Sequence, residues 1–437
     1  AALLIVVVVA VGSYVKQDRR KLAGGIAGGI VGAAVFLGMP QVEVWATRFR
    51  GDMMMIALTA AGLVAVAVGA KYGEDKGRVR WMWLVGGAIL LAIAFYTKQT
   101  ALAGPIAAAL FLLVRDWRTG VRWCVCMLMA VLLPLVALEV TTGHWFYLKM
   151  VTYHSLPLRR LTLERLLQFA FWEDEWPVIL LAGVFALFGF RNQKSEVRSQ
   201  KVESGKLGFM TRVPKFGLVP LFVLAAVLTL PTGAVVGADH NHLLMSGLAV
   251  SMGVGSLVAF LLDKLTESNA NVEAGESKSS LDRERWFYRL GGLGAAALIV
   301  VYFIGTSPPS SWYDPDLIKP SVEQQEQLRK IVFNVEQNPG TVFFSDDPGI
   351  VALAGKETAY DDPFTMSALA QQGRWDESVY REELRTGKFG LLILSCDVTT
   401  GNGCRGDTFT PGVLDAIREG YDLKFRDVLY TYEPKVK

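Results

Sequence analysis

The chain has 437 residues, 52% of them hydrophobic and only 19% charged, with a net charge of +3 and a mean hydropathy of +0.33. Soluble domains carry about 25% charged residues, and the deficit here is local: residues 1–15 and 22–39 hold none, whereas 191–215 are crowded with them. This excludes a single soluble globular enzyme and a disordered chain. Four cysteines exclude a disulfide scaffold, and the small net charge leaves no electrostatic footprint for nucleic acid.

The chain opens on an apolar run, and Lys16, Arg19, Arg20 and Lys21 follow it. A secretory signal places its positive charges first, so the expectation is a fragment that begins inside a transmembrane helix. About 20 apolar residues cross roughly 30 Å of hydrocarbon. Ten segments qualify: 1–15, 22–39, 53–70, 81–97, 101–114, 123–141, 177–190, 217–231, 243–263 and 290–306. Segments 101–114 and 177–190 are short, as for tilted or re-entrant pieces.

Lys and Arg in the loops set the direction. Loops 16–21, 71–80, 115–122, 191–216 and 264–289 hold 23 of them, against 7 in 40–52, 98–100, 142–176 and 232–242. The first set is expected to be cytoplasmic. This makes a multi-pass cell-membrane protein whose C-terminal domain is extracytoplasmic. Gly24, Gly28 and Gly32 share one helix face, as small residues do where helices approach closely within a bundle. The Gly291-Gly292-Leu293-Gly294 cluster reads as helix packing too, since a phosphate loop needs a strand before it.

Loops 191–216 and 264–289 read as mobile and polar. The outer loop 142–176 is rich in aromatics, and 161–171 reads as a helix lying in the interface. Glu173, Asp174 and Glu175 after it are either acidic catalysts or a solvated turn.

Residues 307–437 hold 14 Lys and Arg against 21 Asp and Glu, a net charge of −7. Helices are expected at 322–337, 364–372, 377–386 (after an Asp376 cap) and 411–419, strands at 341–345 and 389–395, and a strand or hairpin at 421–432. The fold class is thus an α-helical polytopic membrane bundle of about ten spans (1–306) followed by a small exported α/β domain (307–437). Cys396 and Cys404 bracket a Gly-rich loop and either close a disulfide in an oxidising compartment or stay as two thiols. Cys124 and Cys126, inside a span, read as small apolar fillers.

Ionisable residues at membrane depth are costly and mark cavities. At the outer mouth stand Arg48, Arg50 and Asp52, Lys98, and Asp239, His240 and His242; all four histidines, with His144 and His154, fall on this side. Each has a plainer reading. Arg48 and Arg50 can anchor a helix end, Lys98 can snorkel, Asp239 can cap a helix, and the histidines can be interfacial polars. A metal site is disfavoured, because histidines two apart point to different helix faces. No Walker, HExxH, CxxC or GxSxG motif and no internal repeat is present.

The stretch Arg48-Phe49-Arg50-Gly51-Asp52, the run 92–100 (AIAFYTKQT) and the run 237–244 (GADHNHLL) resemble the membrane glycosyltransferases of the GT-C type, which include bacterial relatives of protein O-mannosyltransferase and aminoarabinose transferase. So do the tail motifs 344–349 (FSDDPG) and 372–376 (QGRWD). The resemblance implies a sugar carried on a polyprenyl phosphate, transferred on the outer face to a lipid, glycan or protein acceptor. It implies no certain cofactor and leaves a divalent metal open. Its acidic base would lie in a first outer loop before Ala1. Within the chain, Arg50 and Lys98 can hold the lipid phosphate. Asp52 is the candidate catalytic carboxylate, and Arg48, Asp239, His240 and His242 are candidate substrate contacts. The alternative from another class is a transporter or flippase-like protein without glycosyl transfer.

Overall fold

The structure is a computed structural model that describes residues 1–13, 19–39, 41–42, 46, 51–71, 77–143, 145–147, 160, 164, 167–168, 176–187, 217–234, 243–273, 278–305, 321–340, 342–360, 362–404 and 408–435. The chain divides into two compact units, Ala1–Val140 with Pro157–Ser307, and Thr141–Leu156 with Pro308–Lys437.

The first unit is helical: α1 Ala2–Ser13, α2 Arg19–Leu37, α3 Gly51–Lys71, α4 Gly77–Thr97, α5 Ala103–Arg115, α6 Trp117–Thr141, α7 Trp176–Leu187, α8 Leu218–Thr229, α9 Leu244–Glu273 and α10 Lys278–Gly305. Five stretches are long and apolar enough to cross a membrane: Gly51–Lys71, Val79–Thr97, Trp117–Thr141, Leu244–Glu267 and Trp286–Gly305. This points to a membrane protein. The other five expected spans fall on apolar stretches of 10–17 described residues. At 1.5 Å per residue these reach about 15–26 Å, short of the roughly 30 Å of hydrocarbon. Among the described residues, five helices are thus long and apolar enough to span.

Small residues set the helix packing. A Cβ on Gly28 would lie 2.2 Å from the Gly255 carbonyl oxygen, and one on Gly32 would lie 2.5 Å from that of Ser251. Gly29 faces the α1 backbone at Val6 in the same way. The expected glycine face of α2 thus packs inside the bundle, against the small-residue face of α9. The Gly291 cluster does not follow suit. Gly291 approaches Leu261, but Gly292 and Gly294 have nothing within 4 Å, because that stretch of α10 turns away from the described helices. On α3 and α4 the contacts pair Gly51 with Thr97, Gly62 with Leu91 and Gly69 with Leu84, an antiparallel hairpin of helices.

Two large buried side chains of the bundle donate to carbonyls. Trp123 donates to Leu84 O at 2.9 Å, and Tyr302 donates to Val35 O at 3.1 Å. α6 presents Val125, Leu128, Leu132, Leu133, Val136 and Val140 outward. Water would not tolerate so continuous an apolar stripe, but lipid does. Loop 264–289 differs from its expectation: α9 continues to Glu273, and α10 already begins at Lys278. Its Lys, Glu, Asn and Ala content permits helix, and Lys264 pairs with Glu267 one turn on at 2.7 Å.

The second unit holds a five-stranded sheet of order β2-β1-β3-β5-β4, formed by β1 Val342–Ser345, β2 Glu357–Thr358, β3 Leu392–Leu394, β4 Tyr421–Arg426 and β5 Tyr430–Pro434. β1 runs parallel to β2 and β3, while β5 is antiparallel to β3 and β4. Helix α11, Val322–Gln337, starts at a capping box in which Ser321 and Gln324 exchange side-chain and backbone bonds. Ile331 and Val335 on α11 pack on Phe343 and Ile393, one face of the sheet. Phe344, Leu392 and Leu394 face the other way, toward α14 (Ser378–Arg385) and α15 (Pro411–Gly420).

Two short elements escaped the sequence reading. The Asp346-Asp347-Pro348-Gly349 turn is also a helix start: Asp347 caps α12, Pro348–Leu353, with Pro348 in its first turn. The β2 strand has only two residues. Helix α13, Pro363–Gln371, is capped by Asp362. Asp376 is not the cap of α14. Glu377 holds that place, and Asp376 accepts the Ser378 amide at 2.9 Å from one residue earlier. The strand expected over 389–395 is limited to three residues, because only these pair with β1 and β5.

Candidate functional site

Asp52 opens α3, and Lys98 follows the end of α4. The antiparallel hairpin brings these ends together, with Gly51 close enough that a Cβ there would sit 3.1 Å from the Thr97 methyl. Lys98 Nζ donates to Asp52 Oδ1 in an ion pair. Asp52 is only 4% exposed, whereas the Lys98 side chain is 21% exposed. A buried carboxylate without a partner is very costly, and Lys98 supplies the partner. Two of the sequence candidates, 46 residues apart, thus form one charged centre. An ammonium has three donors, so Lys98 can hold Asp52 and still present N–H groups to an anion.

Arg48, Arg50, Asp239, His240 and His242 lie outside the described residues, as do His144, His154 and residues 173–175. Most of 161–171 does too; Arg160 pairs with Glu164 at 2.7 Å beside it. The Gly28 and Gly32 contacts make α2 antiparallel to α9, so the end of α2 meets the start of α9. There lies Gln41, 2% exposed, with neither side-chain amide atom hydrogen-bonded among the described residues. A Cβ on Gly247 would stand 3.5 Å from its Nε2. Thr59, two turns into α3 from Asp52, is likewise buried with an unpartnered hydroxyl among the described residues. The sequence reading missed both. For Gln41 the signal was a lone amide between the apolar runs that end and begin around it.

The second unit carries its own polar cluster where β1 and β3 end side by side. From β1 the chain passes to β2 on one side, and β3 lies on the other, so this is the switch point where α/β sheets open a crevice. Asp346 spans it. Both its carboxylate oxygens accept the Ser395 amide, at 3.0 and 2.9 Å, and Oδ2 also accepts the Ser395 hydroxyl. Burial pushes the Asp346 carboxyl up, against the opposing pull of the Ser395 bonds. Ser345 is fully buried and donates to Ile393 O at 2.8 Å. Trp375 lies 5.7 Å from the ring of Tyr380, whose hydroxyl is unpartnered among the described residues.

Beyond β3, Cys396 and Cys404 form a disulfide with Cα atoms 4.8 Å apart. The enclosed loop turns on Gly401 and Gly403, at φ of 75° and 76°, where a side chain would be strained. Asp397 is the hub of the loop. It accepts the Thr399 amide at 2.9 Å and pairs with Arg426. Burial opposes its charge, but the bonds from the Thr400 side chain, Arg426 and the loop amides prevail and draw its pKa down to about 2. This centre is structural. Among the described residues, no three His, Cys, Asp or Glu side chains converge as metal ligands.

No protein-family model matches the chain, and no curated protein matches it.

Proposed function

We propose that the protein is a membrane glycosyltransferase that moves a sugar from a polyprenyl-phosphate donor to an acceptor at the outer face of the membrane. The buried Asp52–Lys98 pair carries this reading. It places a carboxylate and a multidonor cation together at a helix end, where an isolated charge would be unstable. Lys98 binds the lipid phosphate as a point charge, alongside Arg50 from the preceding segment. Asp52 orients Lys98 and accepts hydrogen bonds from sugar or acceptor hydroxyls. Arg48, Asp239, His240 and His242 complete the donor and acceptor contacts. Gln41, with both ends of its amide to offer, joins them as a sugar-hydroxyl partner. Displacement at the anomeric carbon needs a base and a phosphate clamp, with no nucleotide-binding motif.

The bundle has about ten membrane-embedded helices in this reading, five crossing fully by their own length and five shorter ones held within the packing. The C-terminal domain is extracytoplasmic in this reading. The test is transfer by membrane-inserted Arg50→Ala and Lys98→Ala variants, whose folding is checked separately. Both are expected to lose transfer. Full transfer by both removes the phosphate-clamp assignment.

A further inference from the structure

In the second unit, the parallel strands β1 and β3 end side by side, where α/β sheets receive ligands. A cavity of about 280 Å³ opens beside the end of β3, lined by Ser395, Cys396, Gly403, Thr408 and Phe409. Its size is close to the lower bound of small-molecule sites. Three separate elements fix its walls. Asp346, which follows β1, holds the Ser395 amide at 3.0 and 2.9 Å and accepts the Ser395 hydroxyl. The Cys396–Cys404 disulfide ties the turn at Gly403 to the end of β3. Ser367, on α13, donates to the Thr408 carbonyl at 2.9 Å and holds that turn. A site held in place before its ligand arrives loses less order on binding.

The chemistry of the lining selects the occupant. A hydroxyl carries one donor and two acceptor lone pairs. Ser395 commits its donor to Asp346, so toward a ligand its oxygen can only accept. The residue is exposed, and that oxygen is within reach. A partner for Ser395 must therefore bring an O–H or N–H. Thr408 adds a second hydroxyl, able to donate as well as accept, and Phe409 adds an aromatic wall. Phosphate, the usual guest at such a switch point, presents only acceptors, and an accepting Ser395 opposes it. An ammonium only donates. Sugar hydroxyls do both, on neighbouring carbons, and a sugar ring also has an apolar C–H face to lay on an aromatic side chain.

We infer that this crevice binds one neutral sugar ring of a saccharide. One ring hydroxyl donates to Ser395, a second meets Thr408, and the C–H face lies on Phe409. The inference is read from the second unit alone and does not rest on sugar transfer by the first.

The experiment is saturation-transfer NMR on the whole protein in a polyoxyethylene detergent, with no polyprenyl donor present. The probes are glucose, mannose, galactose, N-acetylglucosamine and their disaccharides. At least one should bind saturably in the millimolar range, and inorganic phosphate should not displace it. Ser395→Ala should weaken that binding about three- to tenfold, the scale of one hydrogen bond. Fluorine in place of one ring hydroxyl of the bound sugar should cost as much, since fluorine cannot donate to Ser395. The two changes together should cost no more than either alone, a coupling that a folding defect cannot mimic. Three results overturn the inference: no saturable binding of any neutral sugar, displacement by inorganic phosphate, or losses from Ser395→Ala and from fluorine that simply multiply at every ring position.

Discussion

At the scale of single residues, two buried carboxylates show opposite uses of charge. Asp52 is sheltered and paired with a flexible cation, Lys98. Removing one partner of a buried ion pair costs about 3–5 kcal/mol. Lys98→Met is therefore expected to lower thermal stability in detergent by that order, and Asp52→Leu/Lys98→Met to regain most of it while remaining inactive. A double variant as unstable as the single one would show that the pair is not the source of the loss. Asp397 is held by several donors, and its pKa is about 2, against 3.8 for the ordinary group. The folded state thus holds this proton less readily than the unfolded one. The stabilisation is complete above pH about 4 and disappears as pH falls toward 2. Acid unfolding of the second unit, followed by the near-ultraviolet signal of its tyrosines, should lose a component in that window in Asp397→Asn. An unchanged acid profile would contradict the assignment. Asp346 opposes this in part. Its raised pKa means that its proton-linked contribution is present at low pH and is lost as pH rises through the folded value.

At the scale of elements, the packing of α2 on α9 is the most demanding contact. Gly28→Ala would set a methyl against the Gly255 carbonyl, which only a shift of backbone can relieve. A loss of about 1–3 kcal/mol or more is expected, read as a lower melting temperature, whereas Gly292→Ala, with open space around it, should be neutral. Equal effects of the two would refute the packing. In the tail, the disulfide closes a short loop, so Cys396→Ala/Cys404→Ala should cost roughly 2–3 kcal/mol in the loop-entropy view. A melting temperature unchanged by the double substitution would contradict it. The Gly24, Gly28 and Gly32 stripe was legible because close helix contact demands small residues at a fixed spacing. The α11 and α15 helices were legible from their caps and proline starts. The two-residue β2 was not, since so short a strand exists only through pairing with β1. Nor was the continuation of α9 to Glu273: polar composition marks exposure to water equally well for a loop and for a helix leaving the bundle. Of the site, Asp52 and Lys98 were legible as charges beside apolar runs, but their pairing depends on the α3–α4 hairpin. Gln41 was hidden because one amide in sequence does not reveal that both its ends are buried and, among the described residues, without partners.

At the scale of the whole molecule, the first unit has charged groups at both ends of its helices. One end holds the Asp52–Lys98 centre. The other has a cavity lined by Lys21, Lys71, Arg115 and Asp263, and the Arg80 contacts with Asp116 and Thr119, at 3.5 and 2.9 Å. The basic loops that set the expected orientation adjoin this second end, so the donor site falls on the outer face in the proposed reading. The second unit ends its parallel strands in a polar crevice closed by Asp346 and Ser395. The most direct measurement is transfer of radiolabelled sugar from a panel of polyprenyl-phosphate donors by the folded, membrane-inserted protein. The expected result is transfer from at least one donor, lost in Lys98→Ala. No transfer from any donor, with insertion and folding verified, would contradict the glycosyltransferase and favour transport of lipid or solute, or a degenerate relative of such enzymes.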